Sequence, residues 1–396
     1  MNVVIFTSII MIYFLAGMEV DIFIPAYPEL QKIFHLTPLI VQLTLSVNFF
    51  AYCVGSLYAG MFGDKYGAKR IIIWGLIIFV LGCGICISVN SFYIILVGRF
   101  FQGLGISAPA ALGFVILSKF YSQKEQSSKL GLLNGFVTCG MALAPIIGSY
   151  LNIYLGWRGG FIFLITLGAL CLLMSQLFIP NDCKRNNQVS FSVLEYSKII
   201  NSRFFWILAI IVCFLCTHYW IFIGMGPIIY MQGMGLTLSQ FGLYQGLIAA
   251  SFALMSFLSP IFLRKFNHFN CVKISLFLHV IFSFILLIIM TFSSSNYVLM
   301  TILMCLCVVS SVLPVNVVYP KILLSFNGSE SKAASLVNII RLIGTAIGLE
   351  VVSYFYVGRT LELGCALFLL STLVLVVFFT PCFHNAFNNK KLEENN

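Results

Sequence analysis

The chain alternates long apolar runs with short polar intervals from end to end. Twelve runs have about the length that carries a helix across the hydrocarbon core of a bilayer, roughly 20 residues. They fall near residues 3–28, 39–61, 71–88, 92–118, 130–151, 160–180, 204–229, 239–262, 271–291, 297–319, 332–357 and 362–381. The longest polar interval, 181–203, begins Asn181-Asp182-Cys183-Lys184-Arg185 and divides the runs six and six, as in membrane proteins built from repeats. The pattern predicts an all-α membrane protein of twelve transmembrane helices in two six-helix bundles. The expected bounds are a first bundle over 1–180, a cytoplasmic linker over 181–203, a second bundle over 204–383 and a polar cytoplasmic tail over 384–396.

Composition agrees. Of 396 residues, 60% are hydrophobic and 9% charged, where soluble domains carry about a quarter charged. The net charge of +10 could suggest nucleic acid, but the bases form no basic face interleaved with aromatics. Their placement follows the membrane instead. With the N-terminus inside, 17 of the 22 bases fall on the cytoplasmic side, three fall outside (Lys32, Arg158, Arg359) and two lie within helices (Arg99, Arg341). That asymmetry is the positive-inside rule. The 13 cysteines are scattered through apolar runs. Cys83-x-x-Cys86 and Cys213-x-x-Cys216 have metal or redox spacing, yet both lie mid-helix, where cysteine behaves as a small apolar residue; no metal site and no cofactor is expected. The first apolar run follows no basic leader, so no cleavable signal is expected.

Ionisable residues at membrane depth are the candidate chemistry, because placing them there costs several kcal/mol (about 2.5–3.5 on insertion scales). Glu19 and Asp21 lie in the outer half of the first run and point about 200° apart on a regular helix. Pro25 frees the carbonyl of Asp21 from its helical partner and predicts a kink there. Asp21 is therefore the stronger candidate for a proton carrier, since an apolar site favours a neutral carboxyl; the plainer alternative for either acid is an ion pair with a base. Arg99 enters the fourth run at a similar depth, followed by Gln102. Arg341 stands about 15 Å in from the cytoplasmic end of the eleventh run at 1.5 Å per residue, near the midplane where carriers hold substrate. Glu350 is nine residues further on and faces away from it. Tyr219 and Trp220 could line a pocket, while His218 and His279 read most simply as helix–helix hydrogen-bond partners.

Between the second and third runs lies Gly60-Met-Phe-Gly-Asp64-Lys65-Tyr-Gly67-Ala-Lys69-Arg70. Gly60 and Gly67 predict close approach and a tight turn, and the three bases hold the loop inside. The stretch resembles the loop signature of the major facilitator superfamily, Gly-x-x-x-Asp-Arg/Lys-x-Gly-x-Lys/Arg, which acts there as a conformational latch. The second-half counterpart, Pro260-x-x-x-Arg264-Lys265, has lost the acid. Arg99-Phe-Phe-Gln102-Gly103 resembles the superfamily's fourth-helix motif, whose arginine lines the cavity. Gly140, Ala144, Pro145 and Gly148 resemble its antiporter signature, with Ala144 and Ser149 replacing two glycines; close packing alone explains the same residues.

Together with Asp21-Ile-Phe-Ile-Pro25 and Pro227-Ile-Ile-Tyr230, these motifs make the chain similar to the twelve-helix drug:proton antiporters, and within them to the Bcr/CflA type. The resemblance implies proton-driven export of small amphipathic compounds by alternating access. It implies Asp21 as the proton-carrying acid and Arg99 as the cavity arginine; the residues themselves add Glu19 to proton coupling and Gln102, Tyr219, Trp220 and Arg341 to the expected substrate cavity, with Arg341 and Glu350 departing from the family pattern. It also implies a bacterial inner membrane, both termini cytoplasmic, a monomer in lipid, and no cofactor besides the coupling proton. Three alternatives stay open. One is a dedicated exporter of a carboxylate metabolite such as a siderophore, answered by Arg99 and Arg341. Another is a proton-coupled importer. The last is a membrane-embedded enzyme or receptor, although no convergent nucleophile, base and oxyanion set is present.

Overall fold

The computed structural model describes residues 2–88, 90–118, 123–180, 193–293, 296–326, 330–381, 383 and 387. Most of the expected linker and tail fall outside them, as does the side chain of Asp64. Within them the chain is helical, and no strand occurs. A bilayer offers no partners for backbone polar groups, so each crossing satisfies its own as a helix.

In the first half, α1 spans Asn2–Asp21, α2 Tyr27–Phe34, α3 Pro38–Tyr66, α4 Ala68–Ser88, α5 Phe92–Ser118, α6 Gln123–Leu155 and α7 Gly159–Phe178. The first expected run is thus broken. α1 stops at Asp21, a 3-10 turn covers Ile24–Ala26, and α2 resumes at Tyr27, as Pro25 predicts. The loop signature is hardly a loop. α3 continues through it to Tyr66, and Gly67 alone separates α3 from α4. Its φ of 94° is a conformation that a Cβ makes unfavourable, so one glycine turns the chain.

The second half has α8 (Val193–Ile200), α9 (Arg203–Pro227), α10 (Leu238–Lys265), α11 (His268–Phe292), α12 (Tyr297–Leu324), α13 (Glu330–Phe355) and α14 (Thr360–Phe379). A π-helical turn, Ile228–Gly233, follows α9. α8 occupies the end of the expected linker. Among the described residues, eleven stretches are long and apolar enough to cross a membrane. One of them, Gly131–Phe178, runs 48 residues and doubles back at the turn Gly156–Arg158, so it supplies two crossings and the expected twelve are all present.

Two compact units emerge from the contacts. Unit 1 holds residues 1–191 with 236–250, and unit 2 holds 192–235 with 251–396; the first half of α10 packs with unit 1. In lipid, helices associate through small residues that let backbones meet, and unit 1 shows this along α1 and α6. A Cβ added to Gly17 would stand 2.1 Å from the Val137 carbonyl oxygen, one on Gly140 2.6 Å from that of Phe14, and one on Gly148 2.1 Å from that of Ile22. The antiporter-like motif of α6 is therefore the surface that receives α1. Gly103 of α5 lies equally tight on α3, its missing Cβ 2.2 Å from the Asn48 oxygen.

Candidate functional site

Those close approaches set the polar centre of unit 1. α1 brings Glu19, α3 brings Thr44 and Asn48, α4 brings Cys83, and α5 brings Arg99 and Gln102. Arg99 is wholly buried and Glu19 is 1% exposed. The Arg99 Nη1 meets Glu19 Oε1 at 3.3 Å in a buried ion pair. Arg99 also donates from Nη1 to Gln102 Oε1 at 2.9 Å and from Nε to the Thr44 carbonyl at 3.3 Å. Asn48 Nδ2 donates to Glu19 Oε1 at 2.6 Å and to the Arg99 carbonyl at 3.2 Å. Gln102 reaches on to Cys83 Sγ at 2.8 Å, and the guanidinium lies over the Phe23 ring at 5.4 Å.

The acid that meets Arg99 is Glu19, the plainer ion-pair alternative, and not Asp21. The physical reason is the one that separates the two acids: they point about 200° apart, and α5 packs on the Glu19 side. Asp21 is the last residue of α1, 1% exposed, and its Oδ2 has no hydrogen-bond partner. Arg99 Nη2 and Asn48 Oδ1 are likewise buried without partners. The centre therefore contains one compensated charge pair and a guanidinium nitrogen with hydrogens to give, while Asp21, on another side of α1, is a second buried carboxyl with an unfilled oxygen. Such a set can exchange a proton at a carboxyl and release an arginine when it does. Asn48 was not among the expected site residues; the signal for it is its isolation, an amide in the middle of the apolar run 39–61.

The remaining expected residues divide by unit. In the signature between α3 and α4, Lys65 and Arg70 are exposed, with Lys65 Nζ 5.1 Å from the Tyr66 ring. Lys69 Nζ donates to the Gln176 carbonyl at 2.9 Å, capping the last turn of α7, where a cation suits the helix dipole. Gly60, expected to permit close approach, has open space where its Cβ would be; the tight glycine is Gly63, whose Cβ would stand 2.7 Å from Leu112. Ala144 and Pro145 are buried in α6. In unit 2, Tyr219 packs on Trp220 and Phe252 at ring-centroid distances of 5.5 and 6.1 Å. Arg341 of α13 lies near the Cys216 thiol and Tyr319. The paired cysteines are occupied separately: Cys86 Sγ faces the Ile95 carbonyl and Cys213 Sγ that of Ile340.

The profile of the Major Facilitator Superfamily matches residues 9–349. A bicyclomycin resistance protein homolog of Haemophilus influenzae is 26% identical over 266 residues, 65% of this chain and 66% of that protein. Multidrug resistance protein MdtL of Escherichia coli is 24% identical over 248 residues, 63% of each. These alignments span just under two thirds of the relatives' lengths. Among solved structures, a D-xylose-proton symporter superposes with a TM-score of 0.75 at 12% identity, over 94% of this chain and 96% of that one. The nucleoside transporter NupG does so with a TM-score of 0.75 at 14% identity, over 98% and 100%. At such identities the likeness is one of fold.

Proposed function

Because this chain belongs to the Major Facilitator Superfamily, and is thus a multi-pass membrane transporter and not an enzyme, we propose that it exports small amphipathic compounds in exchange for protons. The observation that carries the reading is the buried Glu19–Arg99 pair, with Asp21 a second buried carboxyl at the end of α1. In the ionised state Glu19 holds Arg99 by charge and Asn48 holds Glu19 by its amide. A proton arriving from outside neutralises a carboxyl, Arg99 loses its counter-charge, and the guanidinium is free to seek another partner as the helices move. Loss of the proton to the inside restores the pair. Glu19 takes the pairing role here and Asp21 the second proton position, while Gln102 steadies the guanidinium. The drug-resistance names of the relatives support export, and the basic inner loops support a bacterial inner membrane with both termini in the cytoplasm. The coupling ion is the proton, no other cofactor is needed, and the working form is a monomer in lipid.

The test is substrate-triggered proton release from purified protein, with ethidium, chloramphenicol and citrate as probes. Release with ethidium or chloramphenicol, abolished in Glu19→Gln or Asp21→Asn, is the expected result. Proton exchange persisting in both variants would sink the mechanism. A second reading, export of a carboxylate metabolite, draws on Arg341 at mid-depth of α13 beside Cys216. It expects release with citrate alone, lost in Arg341→Gln.

A further inference from the structure

Unit 2 contains a polar centre that this mechanism does not use. His218 of α9 and His279 of α11 are both 1% exposed, with ring centroids 4.6 Å apart in an edge-to-face arrangement. His279 Nδ1 lies 2.9 Å from the Cys307 carbonyl and 3.2 Å from Ser310 Oγ on α12. A carbonyl only accepts, and Ser310 Oγ already donates to that same carbonyl at 2.7 Å. Nδ1 therefore carries the hydrogen, and the lone pair of the neutral ring is on Nε2. That nitrogen is buried with no hydrogen-bond partner. His218 Nε2 faces Ser283 Oγ at 3.2 Å, and Ser283 continues to Ser371 of α14 at 2.8 Å. One polar chain thus joins four membrane helices through two imidazoles and ends on a vacant basic nitrogen.

The geometry points to a second proton-binding site, contained in unit 2, in which His279 Nε2 takes the proton and His218 is the neutral ring beside it. A histidine wanted only as a helix–helix tie needs one ring nitrogen; Cys307 and Ser310 already satisfy that need at Nδ1. The step is the transfer of one proton from hydronium to the lone pair: an N–H bond forms at Nε2, an O–H bond of hydronium breaks to leave water, and the ring goes from neutral to singly positive. Two charged rings at this separation repel, so the pair holds one proton. Among the described residues the titratable group facing it from α12 is the Cys307 thiol, which touches Ser283 at 3.6 Å; α14 contributes the Ser371 hydroxyl. Arg341 of α13 lies against Cys216, which a 200° step places across α9 from His218. Only the site's role in coupling rests on the proton-exchange reading given above; its occupancy does not.

The measurement is nitrogen NMR on the full chain in detergent with labelled histidine, followed from about pH 8 to about pH 4 and assigned by single substitutions. The expected result is a bare Nε2 on His279 at the alkaline end, one proton gained there on acidification, and His218 and His279 never charged together. His279→Asn keeps an amide donor for the Cys307 carbonyl but has no basic nitrogen, so this proton uptake disappears. A His279 that stays neutral down to about pH 4, or whose Nε2 bears hydrogen from the start, overturns the site. If the variant does not fold, the wild-type titration decides alone. In proteoliposomes that carry ethidium, His279→Asn should exchange one proton fewer per ethidium; an unchanged ratio with a titrating His279 removes the coupling role and leaves the site.

Discussion

Replacing Gly148 by alanine tests the packing of α1 on α6. The new Cβ would stand 2.1 Å from the Ile22 carbonyl oxygen, where ordinary contact begins at 3.4 Å. The obstacle is backbone, so no rotamer relieves it; the helices must part by about 1.3 Å (3.4 − 2.1) or the chain must bend. Overpacking of this kind costs about 1–3 kcal/mol. For a unit of this size that lowers the melting temperature by about 2–12 °C. Gly84 is the control, since a Cβ there meets nothing within 4 Å. Gly84→Ala should be neutral or slightly stabilising through its higher helix propensity. Both variants would be heated in detergent, and the folded fraction followed by size-exclusion chromatography. Equal melting temperatures for the two would refute the reasoning, because they would mean that α1 and α6 are not in backbone contact. The same displacement moves Ile22, next to Asp21, so Gly148→Ala should also impair transport while Gly84→Ala leaves it intact.

Other predictions follow from single contacts. Arg99→Ala leaves Glu19 buried without its counter-charge and should destabilise unit 1 by about 3–5 kcal/mol; adding Glu19→Gln should recover part of that loss, and strictly additive losses in a double-mutant cycle would show that the pair is not coupled. Gly67→Ala must place a side chain at φ 94°, at a cost of about 1–2 kcal/mol, whereas Gly60→Ala at the other end of the motif should be harmless; a thermal shift for Gly60→Ala alone would reverse the assignment. Lys69→Ala removes an exposed cap from α7 and should cost under about 1 kcal/mol, with Lys69→Arg near wild type in the same melting assay.

How much of this was legible in the sequence depended on how local the cause is. Pro25 acts on its own helix, so the break after Asp21 could be read from the chain. The twelve crossings could be read because a run of about 20 apolar residues already satisfies the bilayer. The partner of Arg99 was less accessible. Helical spacing showed that Glu19 and Asp21 face different ways, but the choice between them depends on where α5 lies around α1. Gly60 and Gly63 present the same problem: both belong to one signature, and only the position of Leu112 shows which is tight. His218 and His279 are 61 positions apart on separate helices, with no sequence spacing that announces their contact. Such pairs are set by tertiary packing, and each residue alone reads as an ordinary buried polar group.

The division of α10 has a consequence for biosynthesis. Gly242 lies against Ser149, its missing Cβ 2.4 Å from the hydroxyl, and residues 236–250 belong to unit 1. The tie from Lys69 to Gln176 spans 107 positions and can form once α7 has left the ribosome. The seat on α6 for Gly242 stays uncovered until more than 60 further residues have been made. The first unit should therefore mature in two stages during synthesis, closing early around α1 and α7 and finishing only when α10 arrives. Chains truncated after α7 should insert and hold the Glu19–Arg99 pair, yet expose the face of α6 around Ile146 and Ser149 to lipid or to membrane chaperones.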